Sequence, residues 1–348
     1  MHRFSVVPET DSAPPRYRPN RLRTGVPLYR EVYDSLEELV MSIPLGDERP
    51  LAPETQLMST FGVSRGTLRR ALDELVRQDL LRVEPGRGTF VVQSTKVRWL
   101  VWDRLVEVAR PDSRFDMDVS RFVPDFEGRE RCDIQVQDLP DYAQAAVVFI
   151  APDNSLEALR LDALRQGKRL VVPTFGLRRG LVALDGARLS KADMALAATL
   201  DGMERLGTVL TLDDLRQLEP VGVVLTGAVA VTRQGLHFGG GDGYFDLEWA
   251  LLRHCGLASP TTTVVAVIHS CQLLDVDVRP GHHDAVADLI ITPEGAVAPA
   301  SVLPKPDGLR WEEFQAGIGD SKAYVSDLLS EITSTKPAAI RHRAGARR

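Results

Sequence analysis

Residues 62–70 read Gly-Val-Ser-Arg-Gly-Thr-Leu-Arg-Arg, and their reading decides what the first part of the chain is. Gly62 and Val63 turn the backbone into Ser64, whose hydroxyl suits a helix N-cap. The helix then opens with Arg65, Thr67 and Arg69. Arg65 and Arg69 lie four apart and share a face, while Leu68, Ala71, Leu72 and Leu75 fall on the opposite face and pack inward. An apolar back with a guanidinium and hydroxyl front suits entry into a major groove. There Arg reads guanine and Thr meets phosphate or a thymine methyl. Alone, the nonapeptide equally suits an amphipathic surface helix with ordinary exposed arginines, so its flanks decide.

Upstream, Leu28, Val32, Leu36, Leu39 and Val40 recur at helical spacing, and Pro53-Glu54 begins a second short helix through to Phe61. Downstream, Leu81–Glu84 reads as a strand, Pro85-Gly86-Arg87-Gly88 as a tight turn and Thr89–Val92 as the returning strand. Two helices, a recognition helix and a hairpin tipped by Arg make a winged helix-turn-helix. Its tip is built to approach a minor groove.

Residues 27–93 closely resemble the DNA-binding domain of the GntR family of bacterial transcription regulators. The matching residues are Leu28-Tyr29, Leu51–Glu54, Phe61–Arg65, Thr67–Leu72 and Gly86–Phe90. The resemblance implies DNA contacts from Arg65, Thr67 and Arg69, with Ser64 at the helix start and Gly86 and Arg87 on the wing. Two positions depart from the family pattern: Thr55 stands where an Arg is usual, and Gly66 where Thr or another short side chain is usual.

The 348 residues are too many for this module alone and suggest two or three domains. Residues 1–95 carry thirteen Arg against thirteen acids, so the net charge of −6 sits in the remainder, which holds 29 basic against 35 acidic residues. A neutral DNA-binding region predicts modest non-specific affinity. Three cysteines without paired spacing point to a reducing cytosol, and no apolar run approaches the length of a membrane span. Residues 1–15 also lack the apolar centre of a signal peptide, so a cytoplasmic location is expected. Residues 1–26 read as a disordered Arg/Pro-rich arm, and 304–348 as an extension with a disordered basic tail.

Beyond Val97 the pattern changes. Buried-strand runs at Ala145–Ala151, Leu170–Pro173, Val221–Thr226, Thr263–Ile268 and Asp288–Thr292 alternate with helical stretches such as Ser155–Gln166. This predicts an α/β unit with a mostly parallel sheet whose ligands sit at the carboxyl ends of strands. Gly239-Gly240-Gly241-Asp242-Gly243 opens the helical run Tyr244–Leu252 and could cradle a phosphate; a plain tight turn with Asp242 as N-cap is the simpler alternative. His269, Cys271, His282 and His283 lack a second close pair, so no zinc is expected.

Residues 97–300 resemble 5-formyltetrahydrofolate cyclo-ligase, and more closely its diverged cyclo-ligase-like relatives. The resemblance is carried by Arg98, Val101–Asp103, Arg121–Gly128, Gly167–Leu170, Gly239–Glu248, Val265–His269, Gln272, His283-Asp284 and Asp288–Pro293. In the true enzymes ATP phosphorylates the formyl oxygen, and ring closure expels phosphate. The resemblance therefore implies ATP, Mg²⁺ and a folate. It assigns ligand contacts to Arg98, Lys168, Gly239, Gly240, Gly241, Asp242, Gly243 and Tyr244. Tyr244, Asp246, His283 and Asp284 become catalytic candidates, with Asp246 a candidate for Mg²⁺. Yet Gly240 stands where the family carries Lys or Arg, Asp242 where Gly or Lys is usual, and Gly281 where an acid is usual. Exchanging a cation for an anion beside a triphosphate is unfavourable.

The expected architecture is thus a winged helix-turn-helix (α+β) over 27–94 followed by a cyclo-ligase-like α/β domain over 95–303. The expected function is a homodimeric regulator that binds a double-stranded operator and senses a small-molecule effector, away from membranes. The alternatives are a regulator that still cyclises 5-formyltetrahydrofolate and one whose large domain only dimerises.

Overall fold

The computed structural model describes residues 27–110, 123–239, 243–276, 278, 280–301 and 303–308, without the side chain of Phe175. The expected arm at 1–26, most of the tail and Gly240–Asp242 lie outside them. The chain divides into two compact units between Lys96 and Val97.

In the first unit, α1 (Leu28–Ser42), α2 (Glu54–Phe61) and α3 (Arg65–Arg77) precede a hairpin of β1 (Leu81–Glu84) and β2 (Gly88–Val91). The inward stripe of α1 is Val32, Tyr33, Leu36 and Val40. Leu28 and Leu39, expected on that stripe, are instead 47 % and 37 % exposed, so the buried face is narrower than the apolar pattern. Gly62 ends α2 in a left-handed conformation, its N–H donating to Met58 O at 2.9 Å. Ser64 caps α3, accepting from Thr67 N at 3.3 Å, and Leu68, Ala71, Leu72 and Leu75 are buried behind it. The hairpin registers Leu81 opposite Val91 and Glu84 opposite Gly88. Buried Lys96 donates from Nζ to Val40 O at 3.0 Å and to Ile43 O, placing a cation at the carbonyl end of α1. That lysine sits on α4 (Gln93–Val108), a helix of sixteen residues that the sequence does not announce.

The second unit continues with β3 (Ala109–Arg110), β4 (Asp125–Phe126), α5 (Arg129–Gln137), α6 (Pro140–Gln144), β5 (Val147–Ile150), α7 (Glu157–Arg165) and β6 (Arg169–Pro173). Next come β7 (Leu181–Asp185), α8 (Lys191–Ala197), α9 (Leu200–Leu206), β8 (Thr208–Val209), α10 (Leu212–Gln217) and β9 (Val223–Thr226). The last are β10 (Ala230–Thr232), β11 (His237–Phe238), α11 (Tyr244–His254), β12 (Thr263–Val267), β13 (Leu273–Leu274), β14 (Leu289–Thr292) and β15 (Gly295–Val297).

Eight strands form one sheet in the order β15-β14-β12-β9-β5-β6-β7-β8. The five from β14 to β6 are parallel, while β15 on one side and β7 then β8 on the other join by antiparallel pairing. Every residue of β5 and β9 is buried, which explains their unbroken apolar runs: both faces of these strands are covered. The chain leaves β5 for β6 on one side and later returns to place β9 on the other. Strand order therefore reverses between β5 and β9, and in sheets of this kind the ligand crevice lies at the carboxyl ends of those strands. A small sheet, β11-β10-β13, stands apart from the large one.

Candidate functional site

On the first unit, α3 presents Arg65 and Arg69, each 59 % exposed at the side chain. The sequence did not single out Glu54, which ties them together. Arg69 Nε donates to both carboxylate oxygens of Glu54 at 3.1 and 3.2 Å, and Arg65 Nε lies 3.7 Å from Glu54 Oε2. Its sequence signals were an acid in the first turn of α2 and a place in the Leu51–Glu54 match, neither of which assigned it a role. Thr67 is half-buried, its hydroxyl 3.0 Å from that of Ser64. At the wing tip Gly86 and Arg87 are exposed, and Arg87 pairs with Glu84 with its guanidinium 5.6 Å from the Phe90 ring centre. Sequence-expected Ser64, Arg65, Thr67 and Arg69 are thus gathered on one helix, with Gly86 and Arg87 on the hairpin.

In the second unit the crevice is built from three strand ends and α11. After β5, Asp153 Oδ2 accepts from Gly227 N at 2.7 Å, pinning the loops after β5 and β9 together. The Gly227 carbonyl accepts from Thr226 Oγ1 at 2.8 Å and lies 2.7 Å from His237 Nε2. Burial holds His237 neutral, its pKa lowered to about 4, so Nε2–H is the donor in that bond. The His237 ring lies 4.6 Å from the ring of Phe245, the second residue of α11.

Helix α11 starts at left-handed Gly243 and carries three of the residues that matter. Tyr244 lies over the loop after β6, where Gly176 (φ 60°) leaves its hydroxyl room; a Cβ there would come within 3.2 Å of that oxygen. Asp246 Oδ1 accepts from Ala285 N at 2.7 Å, which brings the helix to the His283-Asp284 turn. Burial, and then the Asp284 charge, raise the Asp246 pKa to about 7 against that hydrogen bond. Glu248, only 4 % exposed, accepts no hydrogen bond among the described residues, and burial plus the charges of Asp153 and Asp246 raise its pKa well above the carboxylate range. Its signal in the sequence was a charge inside an otherwise apolar helical run.

The described ligand candidates do not all gather here. Lys168 is buried just before β6, at the opposite end of that strand from Gly176, where Nζ donates to Ala143 O at 3.0 Å and Ala145 O at 2.8 Å. Those carbonyls hold the Lys168 ammonium, a ligand candidate from the sequence, at the end of β6 away from Gly176 and Tyr244. Arg98 is half-buried on α4. Gly239 and Gly243 flank the loop whose residues Gly240, Gly241 and Asp242 lie outside the described ones. Asp284 Oδ2 accepts from Gly281 N at 2.8 Å, closing the turn. Beside that turn opens a cavity of about 570 Å³, lined by His254, Gly281, His282, Lys305 and Asp307 among others. That is a volume suited to a small molecule.

The resemblance implied Mg²⁺. Among the described residues no three of His, Cys, Asp and Glu come together as a metal-binding group. His269 accepts from Cys271 N at 3.3 Å as the cap of a short helical turn.

Comparison with known proteins matches residues 93–293 to the 5-formyltetrahydrofolate cyclo-ligase family and residues 28–91 to the family of bacterial regulatory proteins called gntR. The methenyltetrahydrofolate synthase domain-containing protein of Homo sapiens is 33% identical over 225 residues, 63% of this chain and 57% of that protein. The HTH-type transcriptional repressor NagR of Bacillus subtilis (strain 168) is 38% identical over 69 residues, 20% of this chain and 28% of that protein. The NMR structure of Aquifex aeolicus 5,10-methenyltetrahydrofolate synthetase is 15% identical with a TM-score of 0.39, covering 60% of this chain and 94% of that one. The chain spans about half the length of the synthase domain-containing relative. Among the described residues no helix is long and apolar enough to cross a membrane.

Proposed function

Because the chain belongs to the 5-formyltetrahydrofolate cyclo-ligase family and carries a GntR-type DNA-binding module ahead of that domain, we propose that it is a transcription regulator whose cyclo-ligase-like body senses a metabolite of the folate, nucleotide or cofactor type. Glu248 carries this reading. Buried Glu248 on α11 adds an acid close to Asp153, which pins the loops after β5 and β9, and to Asp246, where phosphoryl transfer needs cations around developing negative charge. Lys168 is held by carbonyls at the other end of β6. The fully buried Arg160 guanidinium donates to Ala198 O at 2.7 Å, Ala151 O at 2.8 Å and Asp153 O at 2.9 Å, so it too is committed to backbone. A ligand with hydrogen-bond donors suits these acids better than a triphosphate does.

A second reading, a regulator that still cyclises 5-formyltetrahydrofolate with ATP, is favoured by one observation: Asp246 is hydrogen-bonded into the turn that carries His283 and Asp284. Full-length protein with 5-formyltetrahydrofolate, ATP and Mg²⁺ separates the two. The sensor reading expects a folate or nucleotide to raise the melting temperature, by about 2.7 kcal/mol of stability at a hundredfold excess over Kd, with no methenyl product. Rapid formation of that product establishes the second reading. Neither stabilisation nor product leaves the body as a dimerisation scaffold. The homodimer and its operator belong to the same proposal, since one winged helix covers a half-site and two copies fit a pseudo-palindrome.

A further inference from the structure

Two exposed arginines on a recognition helix would ordinarily sweep through many rotamers, and fixing them on DNA carries an entropic cost. Here they are not free to do so. Glu54, at the first turn of α2, receives Arg69 Nε on both oxygens and holds Arg65 Nε within ion-pair distance. Neither guanidinium has another partner among the described residues. The clamp takes the Nε side of each fork and leaves the terminal nitrogens, the pair that can grip guanine O6 and N7 end-on. An exposed ion pair of this kind adds little to stability, so its consequence lies in orientation.

We infer that Glu54 is a positioning residue for sequence reading: its carboxylate lines up Arg65 and Arg69 for bases and, as an anion near the phosphates, suppresses binding to unrelated duplex. The inference rests on the reading that the first unit binds DNA. It separates the effects on two substrates, which a merely structural residue would not. Charge removal relaxes the arginines and weakens the specific complex. The same removal takes away a repulsive charge and strengthens, or leaves unchanged, the non-specific one.

The test uses the full-length protein. A duplex is first selected from a randomised library with the unaltered protein, and a scrambled duplex of equal length serves as the non-specific probe, both at one fixed salt concentration. Glu54→Gln is expected to bind the selected duplex about tenfold more weakly and the scrambled duplex as tightly or more tightly. Glu54→Asp, which keeps the charge, is expected to recover part of the selectivity. Equal loss on both duplexes, no change on either, or tighter binding to both overturns the inference. A variant that loses both duplexes through poor folding is recognised by its melting curve, and Glu54→Asp then decides: selectivity no better than that of Glu54→Gln overturns the inference. Arg65→Ala with Arg69→Ala tests the underlying reading separately. If the library yields no selected duplex and that double variant binds like the parent, DNA reading by this helix falls, and the inference falls with it.

Discussion

Asp246 accepts one hydrogen bond, from Ala285 N, and faces the charge of Asp284 from a half-buried position. Its pKa of about 7 in the fold, against 3.8 for the ordinary group, means that the folded chain binds more protons than the unfolded one between those values. Stability from this group is therefore fully present below about pH 4 and is lost as pH rises through 7. Asp246→Asn keeps an oxygen for Ala285 N and removes the titration. We expect its melting temperature to fall less steeply than the parent's between pH 4 and 7, with the variant ahead by about 2–4 kcal/mol at pH 8. Parallel pH profiles would show that the carboxyl is ionised and solvated. The candidates Tyr244, Asp246, His283 and Asp284 were legible as residue types, whereas Asp153 was not singled out and Glu248 and Glu54 stood in matching stretches without a role. A lone acid says nothing about its role until its neighbours are known.

At the scale of elements, the wing is closely specified. Gly88 has φ 131°, and a Cβ on it would lie 2.9 Å from Pro50 Cβ, while Leu51 N donates to Thr89 O at 2.7 Å and holds that loop against the hairpin. Gly88→Ala should cost about 1–3 kcal/mol through backbone strain and the clash together. Chemical denaturation measures this, and a change below about 0.5 kcal/mol would mean that the wing relaxes freely. The three helices, the hairpin and the five parallel strands each left a readable local pattern: a cap, a period of 3.6, a glycine turn or a short β-branched run. The antiparallel strands β7, β8 and β15 and the helices α8, α9 and α10 did not. Direction in a sheet is not written in a strand's own residues, and helices of six or seven residues are too short to show a period.

For the whole molecule, the proposal of two copies on a two-fold operator gives a direct expectation. Sedimentation equilibrium should return about twice the 38.3 kDa chain mass, and the selected duplex should carry inverted half-sites. A monomer on a single half-site would rule out the symmetric arrangement. By itself the sequence determined the kinds of unit present: an arginine-bearing recognition helix with a glycine-tipped wing, then an α/β body with a glycine loop. Those features are made by residues close together along the chain, through caps, turns and periodicity. Only tertiary structure decided which charges meet. It drew Lys168 onto two carbonyls at the far end of β6, set Glu248 close to Asp153 and Asp246 and joined Glu54 to Arg65 and Arg69. Each is settled by the burial and pairing of groups that the folding of distant segments brings side by side.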